Sequence, residues 1–136
     1  MTDRLPMAGL VAAALLAGAA PPASAHHSFA MFDHSRTITL DAEVEIYQWT
    51  NPHAYLTLDA KDGAGTKRYV LEMTSINMMH REGWTSRTVK PGDRVKAVVA
   101  PLLDGQNGGL LLELTLPGGK TMKPGVPNYG SFKRTS

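Results

Sequence analysis

This sequence predicts an all-β domain with one short helix, arranged as a five-stranded OB-like Greek-key barrel. Three observations carry that reading. Segments with period-two apolar alternation recur five times after residue 36, a single short helical stretch falls between the third and fourth of them, and Gly- or Pro-rich turn signals separate the rest. Three strands, a short helix and two strands is the element order of such a barrel.

From Thr37 to Trp49 the chain alternates, with Ile38, Leu40, Ala42, Val44 and Ile46 assigned to the buried face and Thr39, Asp41, Glu43, Glu45 and Tyr47 to the solvated one. Asn51-Pro52 breaks this strand, and Ala54 to Ala60 resumes as a second one, with a hairpin-like corner at Trp49-Thr50-Asn51-Pro52-His53. Asp62-Gly63-Ala64-Gly65 is turn chemistry, followed by a third strand from Lys67 to Glu72. Thr74 or Ser75 caps a short helix running to about Glu82, with Ile76 and Met79 inward and Gly83 just past its end. Lys90-Pro91-Gly92-Asp93 turns into a fourth strand carrying Val95, Ala97 and Val99, and Gly108-Gly109 opens a fifth through Leu116.

Around this core the sequence divides into a leader (1–25), an N-terminal arm (26–36), the barrel (37–117) and a partly ordered basic tail (118–136). The leader reads as a secretory signal peptide: Arg4, an apolar stretch from Met7 to Ala20, and Ala23-Ser24-Ala25 where signal peptidase cuts. That stretch is shorter than the roughly 20 residues that span a bilayer, so no transmembrane segment is expected and the mature chain is assigned to the periplasm.

Composition narrows the chemistry. The 136 residues contain no Cys, which removes thiolate nucleophiles, Cys-ligated zinc, iron–sulfur clusters and the Cys of blue-copper centres. Any metal must be held by His, Met, carboxylate, carbonyl or amine. A formal net charge of +2, with Asp41, Glu43 and Glu45 in a row on the first strand, argues against nucleic acid as a partner. No Gly-x-Ser-x-Gly elbow, His-Glu-x-x-His pair or phosphate loop is present, so no hydrolytic constellation supports an enzyme.

The sharpest candidate is the processed N-terminus. Cleavage after Ala25 would expose His26, whose α-amine and imidazole can close a chelate ring on Cu(II), with His27 adjacent and His53 or His34 as further ligands. His53 is otherwise a turn-capping side chain, His80 a helix-surface residue, and Met73, Met78 and Met79 core fillers rather than Cu(I) ligands. Tyr47, Trp49 and Tyr55 near one corner could line a pocket for a small ligand or a protein partner.

The segments His26-His27-Ser28-Phe29-Ala30-Met31-Phe32-Asp33, Gln48-Trp49-Thr50-Asn51-Pro52-His53, Gly83-Trp84 and Lys90-Pro91-Gly92-Asp93 carry a family resemblance. The chain resembles a group of small exported proteobacterial proteins classed as a domain of unknown function, over roughly His26 to Thr121. Members are glycine-rich before the short helix, where this chain carries Glu72-Met73-Thr74-Ser75. The resemblance implies membership and no particular activity. The expectation is therefore an exported, non-catalytic binding or accessory protein with copper as candidate cofactor. The alternative is a metal-free ligand or partner module at the aromatic corner, and a copper-dependent oxidase is a more distant one.

Overall fold

Residues 29–135 are described by the computed structural model; the leader, His26, His27 and Ser136 lie outside the described residues. Six strands and one helix follow in order: β1 Ile38–Gln48, β2 Tyr55–Asp62, β3 Gly65–Glu72, α1 Ile76–Arg81, β4 Arg94–Pro101, β5 Gly108–Thr115 and β6 Thr121–Met122. Two 3-10 turns, Phe29–Met31 and Tyr129–Ser131, flank them.

The first five strands form a closed mixed barrel. Antiparallel ladders join β1 to β2, β2 to β3, β1 to β4 and β4 to β5, and a short parallel ladder between Val70–Glu72 of β3 and Gly108–Leu110 of β5 completes the ring. With α1 between β3 and β4, this order fits the OB-like Greek key. β1 is long because it serves two partners: residues 38–43 pair with β4 and residues 42–48 with β2.

One expectation on β1 is corrected. The β1–β2 register slips between Val44 and Ile46, so Glu45 is an extra, bulged residue. A bulge reverses the alternation beyond it. Ile46, expected inward, is therefore 48% exposed, whereas Tyr47, expected outward, packs against the core.

The interior is filled by Leu40, Val44, Leu56, Leu58, Leu71, Met73, Met79, Trp84, Val99, Leu111 and Leu114, all buried. Helix α1 is short but well terminated. Ser75 accepts from the Met78 amide at its start, and at its end Gly83, at φ +84°, and Trp84 donate back to the carbonyls of His80 and Met79. This is a Schellman motif, whose associated apolar contact is here the buried Met79–Trp84 pair. The Trp84 indole N–H also donates to the Lys123 carbonyl at 2.8 Å.

A second apolar cluster lies outside the barrel on β5. Leu110 and Leu112 face outward against Phe32, Ala100, Val126 and Phe132, while Leu111 and Leu114 face inward. A register shift opposite Val98 and Val99 makes Leu112 the extra residue. The run Leu110-Leu111-Leu112 thus reads as continuously apolar because both faces of β5 are covered. What covers it is the arm and the C-terminal segment. The stretch expected as a partly ordered tail is, from Thr121 to Thr135, laid along the barrel. It supplies β6 beside β5 and buries Met122, Val126 and Phe132.

Candidate functional site

The corner between β1 and β2 is tied down by several polar contacts. The Thr50 hydroxyl donates to the His53 carbonyl at 2.9 Å, Asn51 Oδ1 accepts from the Ile76 amide at 3.3 Å, and the Asn51–Pro52 peptide is cis. These contacts dock the corner on the start of α1. They also fix the direction in which the His53 side chain leaves the chain.

His53 does not cap the turn through its ring. Its Nδ1 lies 2.5 Å from Oε1 of Glu72, with the His53 side chain 32% exposed and that of Glu72 16% exposed. A carboxylate oxygen accepts, so Nδ1 carries the proton in this contact and Nε2 points away from Glu72. Glu72 is brought there by the β2–β3 ladder, in which Tyr55 stands opposite Glu72. Tyr55 lies close enough to Glu72 for burial, reinforced by that negative charge, to push its hydroxyl above the ordinary tyrosine value.

The expected aromatic corner is divided by the sheet. Tyr47 pairs with inward-facing Leu56, while Tyr55 pairs with Gln48 and Glu72 and so belongs to the outer face. Tyr47 and Trp49 do meet, with ring centroids 5.8 Å apart, and Trp49 also takes the His80 ring edge-on at 5.1 Å. The Tyr47 hydroxyl is already committed to the Thr85 carbonyl at 3.1 Å, and burial raises its pKa far above the usual value. His80 is exposed, as expected, and Met73 and Met79 are core side chains.

His34, a candidate further ligand in the sequence, has protein partners on both ring nitrogens. Its Nε2 lies 3.1 Å from the Phe29 carbonyl and its Nδ1 3.2 Å from the Ser131 hydroxyl. Its ring stacks on Phe132 at 4.2 Å with an interplanar angle of 20°. Both ring nitrogens are engaged within the protein. His26 and His27 lie outside the described residues, and among the described residues no three His, Asp or Glu side chains converge as a metal site.

A groove of about 900 Å³ lies elsewhere, along the outer face of β1 and β4. Its walls alternate in sign, with Asp41, Glu43, Glu45 and Asp59 against Lys61, Arg94 and Lys96. Arg68 bridges Glu45 and Asp59, and Lys96 lies 3.8 Å from Asp41. Much of the charge is satisfied across strands, and the groove contains no histidine.

Glu72 is the residue that the sequence reading missed. Its signal was present in the two-residue turn Gly63-Ala64, which pairs Asp62 with Gly65 and, counted back along the hairpin, sets Tyr55 against Glu72 with His53 on the diagonal.

Among the described residues no helix is long and apolar enough to cross a membrane. No curated protein and no solved structure matches the chain. The model of a family of unknown function (DUF6152) matches residues 13–112, a span that includes the corner, its Glu72 partner and the whole β1–β4 scaffold, and the chain belongs to that family.

Proposed function

We propose that the chain is an exported, non-catalytic binding module. It captures copper(II) with the amine and imidazole of a processed N-terminus at His26, assisted by His27 and by Nε2 of His53. The observation that carries this reading is the His53–Glu72 contact. A carboxylate holding Nδ1–H fixes the ring orientation and, in the neutral ring, leaves Nε2 as the nitrogen for a metal, the arrangement found behind metal-ligating histidines.

Nitrogen ligands suit copper(II), and the α-amine gives up its proton readily near neutral pH. Export is supported by the leader-like Met1–Ala25 segment. His34, committed through both nitrogens, is left out of the ligand set.

Isothermal titration of copper into the processed protein, read beside paramagnetic resonance, tests the proposal. A residue added ahead of His26, or His26→Ala, should weaken binding at least about a hundredfold, because the chelate ring is lost. His53→Ala should lower affinity and remove one nitrogen from the superhyperfine pattern, while His80→Ala changes neither. Equal affinity in all four proteins overturns copper capture and favours the metal-free alternative at the partly exposed Trp49, which packs against Tyr47 and His80.

A further inference from the structure

The groove over β1 plays no part in the copper reading, and backbone bonds fix its shape. Residues from Asp41 to Glu45 of β1 form the floor, the β2–β3 hairpin forms one wall, and the start of β4 with two turns forms the other. Both turns are held. The Gly92 amide donates to the Val44 carbonyl and the Val44 amide to the Asp93 carbonyl, each at 2.8 Å, and the Leu116 amide donates to the Lys120 carbonyl at 2.8 Å. Little of the frame has to be ordered when a ligand binds.

Its charges stand in two rows of opposite sign. On β1, Asp41 and Glu43 lie two positions apart on the outer face, and on β4 Lys96 and Arg94 are their ladder partners. The pairing between the rows is incomplete. Arg68 answers Glu45 and Asp59, and Lys96 reaches Asp41 only at 3.8 Å, with both side chains more than half exposed. Glu43, Lys61 and Arg94 are exposed, line the groove and carry no ion pair among the described residues. Opposite charges facing each other across two strands ordinarily stabilise the pair by meeting, and Glu43 and Arg94 do not.

These features select a ligand by charge and by spacing. A phosphate polymer meets the carboxylates of the floor, a polyamine or a metal ion meets Lys61, Arg94 and Lys96, and a neutral ligand covers unpaired charges without answering them. A ligand carrying both signs avoids all three penalties. Same-side residues of a strand repeat every ~6.8 Å, so each row has the spacing of the side chains on one face of an extended peptide. The groove, about 900 Å³, lies near the top of the range of about 300–1,000 Å³ for ligand sites, which is room for several residues.

We propose that this groove is a second binding site, for an extended peptide that carries basic and acidic side chains on the same face. The basic side chains lie over Asp41 and Glu43, and the acidic ones lie over Arg94 and Lys96 or reach Lys61 on the opposite wall. The groove contains no histidine, so the proposal stands or falls apart from copper capture.

The probe is an acetylated, amidated peptide of two Lys-Ser-Glu-Ser repeats, titrated into the isotope-labelled full chain and followed by amide chemical shifts. Saturable shifts should appear at residues 41–45, 94–96 and 116–119. Peptides with every charged position Lys, or every one Glu, should bind at least about tenfold more weakly, because each leaves one row unanswered. Arg94→Ala should weaken the mixed peptide about three- to tenfold, Arg94→Lys should keep most of the affinity, and His53→Ala should change nothing. Thermal unfolding confirms that the variants fold. Absence of saturable shifts at millimolar peptide overturns the proposal, as does an all-Lys or all-Glu peptide that binds as well as the mixed one. Full affinity in Arg94→Ala, or shifts confined to the β1–β2 corner, overturns it too.

Discussion

Replacing Gly109 with alanine tests the barrel closure on which the site depends. Gly109 stands where three strands meet, opposite Leu71 of β3 and Pro101 of β4. A Cβ built there would lie 2.3 Å from the Ala100 carbonyl oxygen and 2.5 Å from Val99 Cγ1. Carbon contacts are comfortable from about 3.5 Å, so the strands must part by about 1 Å. The nearest atom is backbone and cannot rotate away, which places the cost at the upper end of the 1–3 kcal/mol range for overpacking, about 3 kcal/mol. At about 4 °C per kcal/mol for a domain of this size, the melting temperature should fall by about 12 °C. Gly118→Ala is the matched control: nothing lies within 4 Å of its Cβ, and the change should be neutral or stabilise by up to about 0.5 kcal/mol. Thermal unfolding followed by circular dichroism reads both. A Gly109→Ala protein that melts within about 2 °C of the unaltered one would refute the packing argument.

Two further predictions concern the groups that moor the C-terminal segment. Burial works to raise the Glu113 carboxyl, but the Tyr129 hydroxyl, Arg134 and Lys123 outweigh it and hold the group below its ordinary 4.5. Its contribution is present above that ordinary value and is lost as pH falls through the depressed one. Glu113→Gln should therefore melt lower than the unaltered protein at pH 7, with the difference shrinking below about pH 4.5; a gap that stays constant with pH contradicts this. Trp84→Phe leaves the Lys123 carbonyl without the indole donor at 2.8 Å and should cost about 1–3 kcal/mol in urea unfolding, more than Trp49→Phe at the partly exposed corner. Equal costs at the two tryptophans would show that the buried hydrogen bond contributes nothing.

Much of the scaffold is legible locally. Leu40, Ala42 and Val44 alternate inward as read, Ser75 and Gly83 bound the helix, and Pro91-Gly92 makes the turn, with Gly92 at φ +91° and its amide on the Val44 carbonyl at 2.8 Å. The reading failed at Ile46 and Tyr47 because a bulge at Glu45 reverses the alternation. Nothing in the local residue pattern marks a bulge that serves to bend a strand between two partners. The partners of His34 were illegible for a different reason. Its partner Ser131 lies 97 positions away, and only the folded tail brings it there.

What the sequence alone determined was the inventory: which segments extend, where they turn, the absence of thiol chemistry, and the histidines available as candidate nitrogen ligands. These follow from short-range sterics and from the period of apolar residues, which act within a few positions along the chain. Tertiary structure decided which groups surround His34 and His53. Register set Glu72 against Nδ1 of His53, while the fold of the C-terminal segment brought Ser131 to one nitrogen of His34 and the arm's own Phe29 carbonyl met the other. Whether a ring nitrogen can be a donor to a metal depends on which groups stand within about 3 Å of it, and in a closed barrel those groups come from distant parts of the chain.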